Sequence, residues 1–388
     1  MERIVGIICE YNPFHNGHLY QIETIKKEIP DAKIVAIMSG NTTQRGQFSM
    51  LPKYKRAEIA LESGVDLVLE MPFPYSSSSA EIFATAGVEI AAEIGCTDLC
   101  FGTENCNIDY VSSVAKAIDS CEFERLISSE LVDKKSSYIV AREKALLALG
   151  FDVSLLSNDM LGVEYVRAIN KKGARITPFA IKRQGAGYND LSICEVMSAS
   201  AIRANFYNEN KLIGVPANLE KYYLKAFSKN EFTEEKNVKD FLFRYILVTS
   251  LEKIESSFDS SKEIASIIKS VANESKNGED FFEKLSTKTY TRARLTRIIM
   301  YTLFGVTKLD KNLKFALLLA ANTSGRDILS NAKKSSLKII TKHSDSSELD
   351  SDSQNVLETL YEVDKLYNSL LRSEELPINA YKQKPIIK

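Results

Sequence analysis

The sequence predicts an α/β fold. An N-terminal Rossmann-like parallel-sheet domain is expected over residues 1–205, followed by an all-helical C-terminal region over residues 206–388. Three observations predict it. In the first half, short apolar runs alternate with helical periodicity, and the runs are apolar on both faces, as strands between two helix layers must be. Polar or glycine-bearing segments follow the ends of these runs at 12–18, 39–46, 102–104 and 158–162, where ligands bind in open parallel sheets. Past about residue 205, strand signals fade and long amphipathic stretches take over.

Each element has its own signal. The first strand is expected at 3–9 and the helix at 17–29 ends near Pro30. A second strand at 33–38 precedes a helix at 53–63, closed by Gly64. A third strand at 66–70 precedes an apolar helix at 79–94, closed by Gly95. Glycine stops a helix because it takes the left-handed conformation at little cost. The fourth strand falls at 98–102, and two more are expected at 152–156 and 175–182. In the second half, helices are expected at 238–254, 263–273, 290–304 and 354–371. Ser-rich stretches at 256–261 and 344–353 read as linkers, the second of them mobile, and the Lys-rich tail after Pro377 reads as loosely held.

Composition excludes several classes. Among 388 residues, 50 basic and 51 acidic side chains leave a net charge of −1, so any attraction for nucleic acid must come from a local patch. No apolar run is long enough to span a bilayer, and Met1-Glu2-Arg3 enters the first strand without a leader pattern. The six cysteines include no C-x-x-C pair. Cys96, Cys100 and Cys106 would need a fourth ligand to hold zinc, so no protein metal site is assigned. A cytoplasmic chain with reduced thiols is expected.

Two of the three histidines stand in His15-Asn16-Gly17-His18. Ile7-Ile8-Cys9-Glu10-Tyr11-Asn12-Pro13-Phe14 leads into them, and Leu19 and Tyr20 follow. This is the H-x-G-H pattern of enzymes that attack the α-phosphate of a nucleoside triphosphate. A strand ends, a turn brings two imidazoles to the nucleotide, and a helix starts beneath them. Gly17 lets the backbone approach phosphate, and the helix N-terminus favours anions. Imidazolium groups there would stabilise the charge added to a pentacoordinate phosphorus. The competing readings are a surface pair or half of a metal site, but the spacing is not the one-turn spacing of two ligands on a helix face.

Further segments extend this site. Ser198 and Ser200 open a helix, where they can cap it and donate to phosphate oxygens, and Arg203 one turn on can neutralise leaving pyrophosphate. Alone, this is a plain capped helix with a solvent-facing Arg; its distance from H-x-G-H fits closure of one α/β domain. The loop bearing Ser39, Gly40, Asn41, Gln44 and Arg45 can hold an acceptor beside the α-phosphate, or be a surface turn. Gly102 at the fourth strand end lets adenine or ribose approach the backbone, and Lys182 with Arg183 precede a Gly-interrupted loop suited to triphosphate. Lys288, Arg292, Arg294 and Arg297 cluster within three turns and read as RNA phosphate contacts, against the usual fate of such a run as a solvated face. Lys53, Lys55 and Arg56 are weaker candidates.

Taken together, residues 6–21, 38–46, 73–80, 100–104, 158–165, 182–190 and 198–203 resemble the tRNA(Met) cytidine acetate ligase family, as do 288–297 and 322–329. The likeness spans nearly the whole chain. It implies an ATP-dependent ligase that activates acetate as acetyl-adenylate and acetylates the exocyclic amine of the wobble cytidine of elongator tRNA(Met). It implies an ATP site built from residues 7–20, Gly102, Asn158 and Arg183, with Mg²⁺ bridging phosphates. Ser157-Asn158-Asp159 stands where the family shows Pro-Asn-Asn, and Thr42 replaces a commoner aromatic or aliphatic residue. The alternatives are a small-molecule adenylyltransferase, which would not need the helical half, and a non-enzymatic nucleotide- or RNA-binding adaptor, against which intact His15, His18 and Arg203 argue.

Overall fold

The apolar runs of the first half form five parallel strands: β1 Ile4–Cys9, β2 Lys33–Ser39, β3 Leu67–Met71, β4 Asp98–Thr103 and β5 Thr177–Lys182. The coordinates are a computed structural model. It describes residues 2–104, 106–131, 138–152, 156–183, 197–209, 211–310, 312–332, 335–373 and 379–388, with only the backbone at 156–158. The sheet order β5-β4-β1-β2-β3 places the reversal of strand order between β1 and β4. The strand expected at 152–156 is not among these five. Residues 153–155 lie outside the described residues, and Leu156 opens a helix.

The second half is mostly helical, but it also extends the sheet. β6 Phe315–Ala321 pairs antiparallel with β3, and β7 Lys338–Ile340 and β8 Ile386–Ile387 pair with β6 in parallel. The expectation of an all-helical region past residue 205 is therefore amended. β6 is seven buried apolar residues in a row, and periodicity cannot tell such a run from a buried helix segment.

The helices of the first half are α1 Asn16–Glu28, α2 Lys53–Glu62, α3 Ala80–Ile94, α4 Ile108–Ile118, α5 Cys121–Leu131, α6 Tyr138–Ala148, α7 Leu156–Lys172 and α8 Ala199–Glu209. Those that follow are α9 Glu220–Ser228, α10 Glu235–Val248, α11 Leu251–Glu255, α12 Lys262–Asn273, α13 Gly278–Lys284, α14 Arg292–Leu303, α15 Thr323–Asn331 and α16 Ser351–Ser369. Their ends carry the expected chemistry. The Ser79 hydroxyl accepts from Ile82 N at the start of α3, and Gly95 ends it with φ 87°.

A division at 205/206 would cut α8 in two. Phe206, Leu219, Tyr223 and Phe232 pack into the same core layer as α1 and α2. The other face of the sheet is covered by α3 to α7, and α10 to α14 with α16 enclose a further core. The Ser-rich stretches are tied down. Ser257 and Thr302 hydroxyls meet at 2.8 Å, and the Ser261 hydroxyl caps α12. The segment at 344–353 is a 3-10 turn running into the first turn of α16, which the Asp350 carboxylate caps. The tail, expected to be loosely held, adds β8 to the sheet and pairs the Lys388 ammonium with Glu62.

Beneath the β2 end lies a cluster of buried charge. Lys53 Nζ reaches Glu70 at 2.7 Å and Asp364 of α16 at 2.5 Å, with all three side chains at most 2 % exposed. Asn41 donates to Asp364 at 2.8 Å and accepts the Lys53 backbone N–H at 2.8 Å. Arg56 donates to the carbonyls of Glu10, Ser39, Gly40 and Leu51. Lys53 and Arg56 are thus framework residues, not RNA contacts, and Lys55 pairs with Glu231 at 3.1 Å. Removing one partner of such a cluster strands a buried charge, so Lys53→Ala should lower the unfolding free energy by about 3–5 kcal/mol. Urea unfolding checks this; a loss below about 1 kcal/mol, the range of exposed pairs, would contradict the account.

Candidate active site

Ligands of open α/β sheets sit where the strand order reverses, beyond the carboxyl ends of the strands. A cavity of about 810 Å³ lies at that place, between the ends of β1 and β4. Its described walls carry eight Lys or Arg side chains against four carboxylates, so it favours an anionic ligand.

The histidines are placed by helix capping. His15 is the N-cap of α1 and His18 is its third residue. His15 Nδ1 accepts the Gly17 N–H at 3.1 Å, and His18 Nδ1 accepts the His15 N–H at 3.2 Å. This is a reciprocal capping box in which two imidazoles replace the usual hydroxyl and carboxylate. The rings stack with centroids 3.7 Å apart. Each Nδ1 is an acceptor, so in the neutral ring the proton sits on Nε2. Both side chains line the cavity.

Burial pushes His15 down to about 3, and Arg183 and Arg203 push the same way. Burial also holds His18 well below its ordinary value, helped by His15 and Arg183. The imidazolium pair expected from the sequence is corrected: burial and the neighbouring guanidinium groups favour the neutral form of both rings. Two stacked rings under nearby guanidinium groups cannot both gain charge cheaply.

The remaining walls converge on this pair. Arg203 Nη1 donates to the Asn12 carbonyl at 2.6 Å, which holds the guanidinium beside the loop that carries His15. Its Nη2 also reaches the Ser200 hydroxyl at 3.4 Å. Arg183 pairs with Glu104 at 3.7 Å and lies over Gly102, where an added Cβ would come within 3.0 Å of its side chain. Gln44 N–H donates to Glu10 at 2.7 Å and its amide donates to the Ser78 carbonyl at 2.7 Å, pinning the loop after β2 to the rim.

The structure brings together most of the predicted residues. Ile8, Cys9, Glu10, Tyr11, Asn12, His15, Gly17, His18 and Tyr20 line the cavity, as do Gly102, Arg183, Ser198 and Arg203. Ile7 and Phe14 are instead core residues under α1, and Pro13, Asn16, Leu19 and Ser200 are not among the lining residues. The Asn158 side chain and the loop at 184–190 lie outside the described residues. Of the acceptor loop, Gln44 and Arg45 reach the cavity. Ser39, Gly40 and Asn41 do not: Ser39 and Asn41 are buried, and Gly40 lies against the Glu70 carboxylate, whose neighbour is Lys53. The four cations at 288–297 do not share a face. Lys288 and Arg292 are exposed, whereas Arg294 and the buried Arg297 line the cavity. Sequence reasoning did not anticipate Asp259, Thr289 and Thr291 in this wall, because their approach depends on how α14 packs.

Among the described residues no three His, Cys, Asp or Glu side chains converge as a metal cage, and no helix is long and apolar enough to cross a membrane.

A family model described as HIGH Nucleotidyl Transferase matches residues 2–383. The tRNA(Met) cytidine acetate ligase of Fusobacterium nucleatum is 34% identical over 346 residues, 86% of each chain. That of Clostridium tetani is 35% identical over 416 aligned positions, covering 99% of this chain and all of the relative. The crystal structure of apo Thermotoga maritima TmcAL superposes with a TM-score of 0.92 at 28% identity, covering 99% of both chains. A second form, bound with alpha-thio ATP, superposes at 0.89.

The depressed histidines have a stability consequence. Below their ordinary value of 6.5 the unfolded chain binds protons that the folded site refuses. Stability is therefore complete above that value and falls as pH drops towards the folded value, by at most about 1.4 kcal/mol per pH unit for each ring. Open ring edges reduce that figure. The urea midpoint should fall between about pH 7 and about pH 5, and the fall should be shallower in His15→Gln. Parallel pH profiles for the two proteins would contradict the neutral assignment.

Proposed function

The chain belongs to the tRNA(Met) cytidine acetate ligase family of the HIGH nucleotidyl transferases, and on that premise we propose the two-step reaction that its cavity suits. In the first step acetate oxygen attacks the α-phosphorus of ATP; pyrophosphate leaves and acetyl-adenylate forms. In the second, the N4 amine of the wobble cytidine of elongator tRNA(Met) attacks the acyl carbon. The carbon–oxygen bond to the phosphate breaks, the amine loses a proton, and AMP leaves. No covalent enzyme intermediate is needed.

The observation that carries this reading is the reciprocally capped histidine pair at the switch point, flanked by Arg183 and Arg203. Neutral Nε2–H groups are preorganised donors for the oxygens of a pentacoordinate phosphorus. Fixed dipoles aimed at developing charge need no reorganisation during the step, and the α1 N-terminus adds to their field. Arg203, steadied by the Ser200 hydroxyl, and Ser198 would meet the departing pyrophosphate, and Arg183 the triphosphate, with planar forks suited to phosphate oxygens. Phe101, Gly102 and Gly162 supply an apolar wall and close backbone approach for the adenosine. Asn158 remains a proposed contact.

Magnesium fits such a site only through the substrate. With no cage of protein carboxylates among the described residues, the ion would take its ligands from phosphate oxygens and water. The entry of Thr289, Thr291, Arg294 and Arg297 into the cavity favours a macromolecular acceptor over a small phosphorylated one, which would need no helical wall. A tRNA acceptor also fits the cytoplasmic setting expected from the sequence.

Acetate-dependent exchange of labelled pyrophosphate into ATP tests the first step, and mass spectrometry of tRNA nucleosides tests the second. His18→Ala should fold and lose about 100-fold in the exchange rate, the usual effect of removing one such donor. Near-normal exchange in folded His18→Ala would remove the histidine from the mechanism.

A further inference from the structure

The cavity has a second cationic wall that the triphosphate does not account for. Arg45 comes from the loop after β2, and Arg294 and Arg297 come from α14; all three line the cavity. Arg297 is only 8 % exposed, yet among the described residues no carboxylate lies within ion-pair distance of it. Among the described residues, its one side-chain hydrogen bond is a 3.5 Å contact from Nη1 to the Gln44 carbonyl. Asp259, a carboxylate of this wall that acts on Arg297, is occupied by Arg294 in a two-pronged pair at 2.7 and 3.0 Å. Arg294 also lies over the Tyr290 ring at 5.3 Å. A guanidinium enclosed in protein without a counter-ion is expensive, and the expense is removed when an anion binds.

The arrangement is built, not incidental. Gly46 has φ 79° and packs directly on α14; an added Cβ would meet the Arg297 backbone nitrogen at 2.9 Å. That contact sets Arg45 beside Arg297. Thr291 caps α14, so the positive end of a 12-residue helix opens into the same wall. Burial lowers Arg297, with Tyr301 and Asp259 opposing that fall and Arg294 and Arg45 adding to it.

We propose that Arg45, Arg294 and Arg297 form a phosphodiester subsite that seats one backbone phosphate beside the acceptor cytidine. The inference rests on the proposed acetylation of tRNA. A phosphodiester offers two non-bridging oxygens and one charge, which suits guanidinium forks held side by side. Anchoring the phosphate fixes the nucleotide while its base reaches across the cavity to the acetyl-adenylate. Lys288 and Arg292 are not part of the subsite; Arg292 donates to the Glu283 carbonyl outside it.

The test uses the full chain and an anticodon stem-loop RNA. Each phosphate flanking the wobble cytidine is replaced in turn by an uncharged methylphosphonate. At one position the wild type should lose about tenfold in affinity, the equivalent of one charge-assisted hydrogen-bonded contact. Arg297→Gln should lose a similar amount on the native RNA, and the methylphosphonate should then cost it nothing more. Arg45→Gln, on the exposed loop, should behave likewise and guards against a folding defect in the buried variant. For both variants the slope of log affinity against log salt should fall by about one. Equal methylphosphonate penalties in wild type and variants would overturn the subsite. So would a rise in the acetate KM with RNA affinity unchanged, which would mark an acetate site instead. If the wild type neither binds nor acetylates the unmodified stem-loop, the functional reading itself fails and the subsite fails with it.

Discussion

Donors for the strand-end carbonyls are the constraint on which the rest of the structure depends. Where β1 and β2 stop, the carbonyls of Glu10, Ser39 and Gly40 are enclosed by protein, and buried backbone oxygens must find partners. Arg56 satisfies them from the first turn of α2. One turn earlier, Lys53 needs carboxylates of its own and finds Glu70 on β3 and Asp364 on α16. Asn41 joins the two arrangements. A helix near the C-terminus is thereby bound to the loop that carries Gln44 and Arg45. The sheet extension through β6, β7 and β8 reinforces the same union, which is why the second half is not an appended module.

The histidine pair inherits its geometry from this frame. α1 begins where the loop after β1, braced by Arg56 and Arg203, releases it. Capping then consumes both Nδ1 atoms and dictates which nitrogen carries the proton. Local secondary structure thus determines tautomer, and burial determines charge. On the proposed reaction, the arginines would supply full charge to the triphosphate, while the imidazoles would supply directed dipoles at the reacting phosphorus. The cavity cations come from several elements, so on the proposed reading two anionic substrates would not compete for one set of donors.

Sequence reasoning went furthest where the signal is local. Glycine stops, serine caps and the H-x-G-H turn depend on residues a few positions apart, and β1 to β4 followed from buried apolar runs, although a further strand expected at 152–156 is not among the described strands. It was weakest where several environments share one pattern. The fully apolar β6 read as part of a helical half, because an unbroken apolar run has no period. Lys53 and Arg56 looked like mouth residues, since a cation in sequence does not reveal the carboxylate or carbonyls that bury it. Asp364 lies 311 positions from Lys53, beyond any local rule.

What the sequence by itself determined is the parallel α/β frame, the placement of His15 and His18 at a helix start beyond a strand, and the anionic character of the ligand, because these arise from backbone periodicity and short-range capping. Only the tertiary structure decided that the histidines are neutral, that Ser39, Gly40 and Asn41 serve the framework, and that Arg294 and Arg297 turn into the cavity while Lys288 and Arg292 face outward. Charge state and side-chain direction are set by desolvation and by partners brought from distant parts of the chain, and those exist only once the helices have packed.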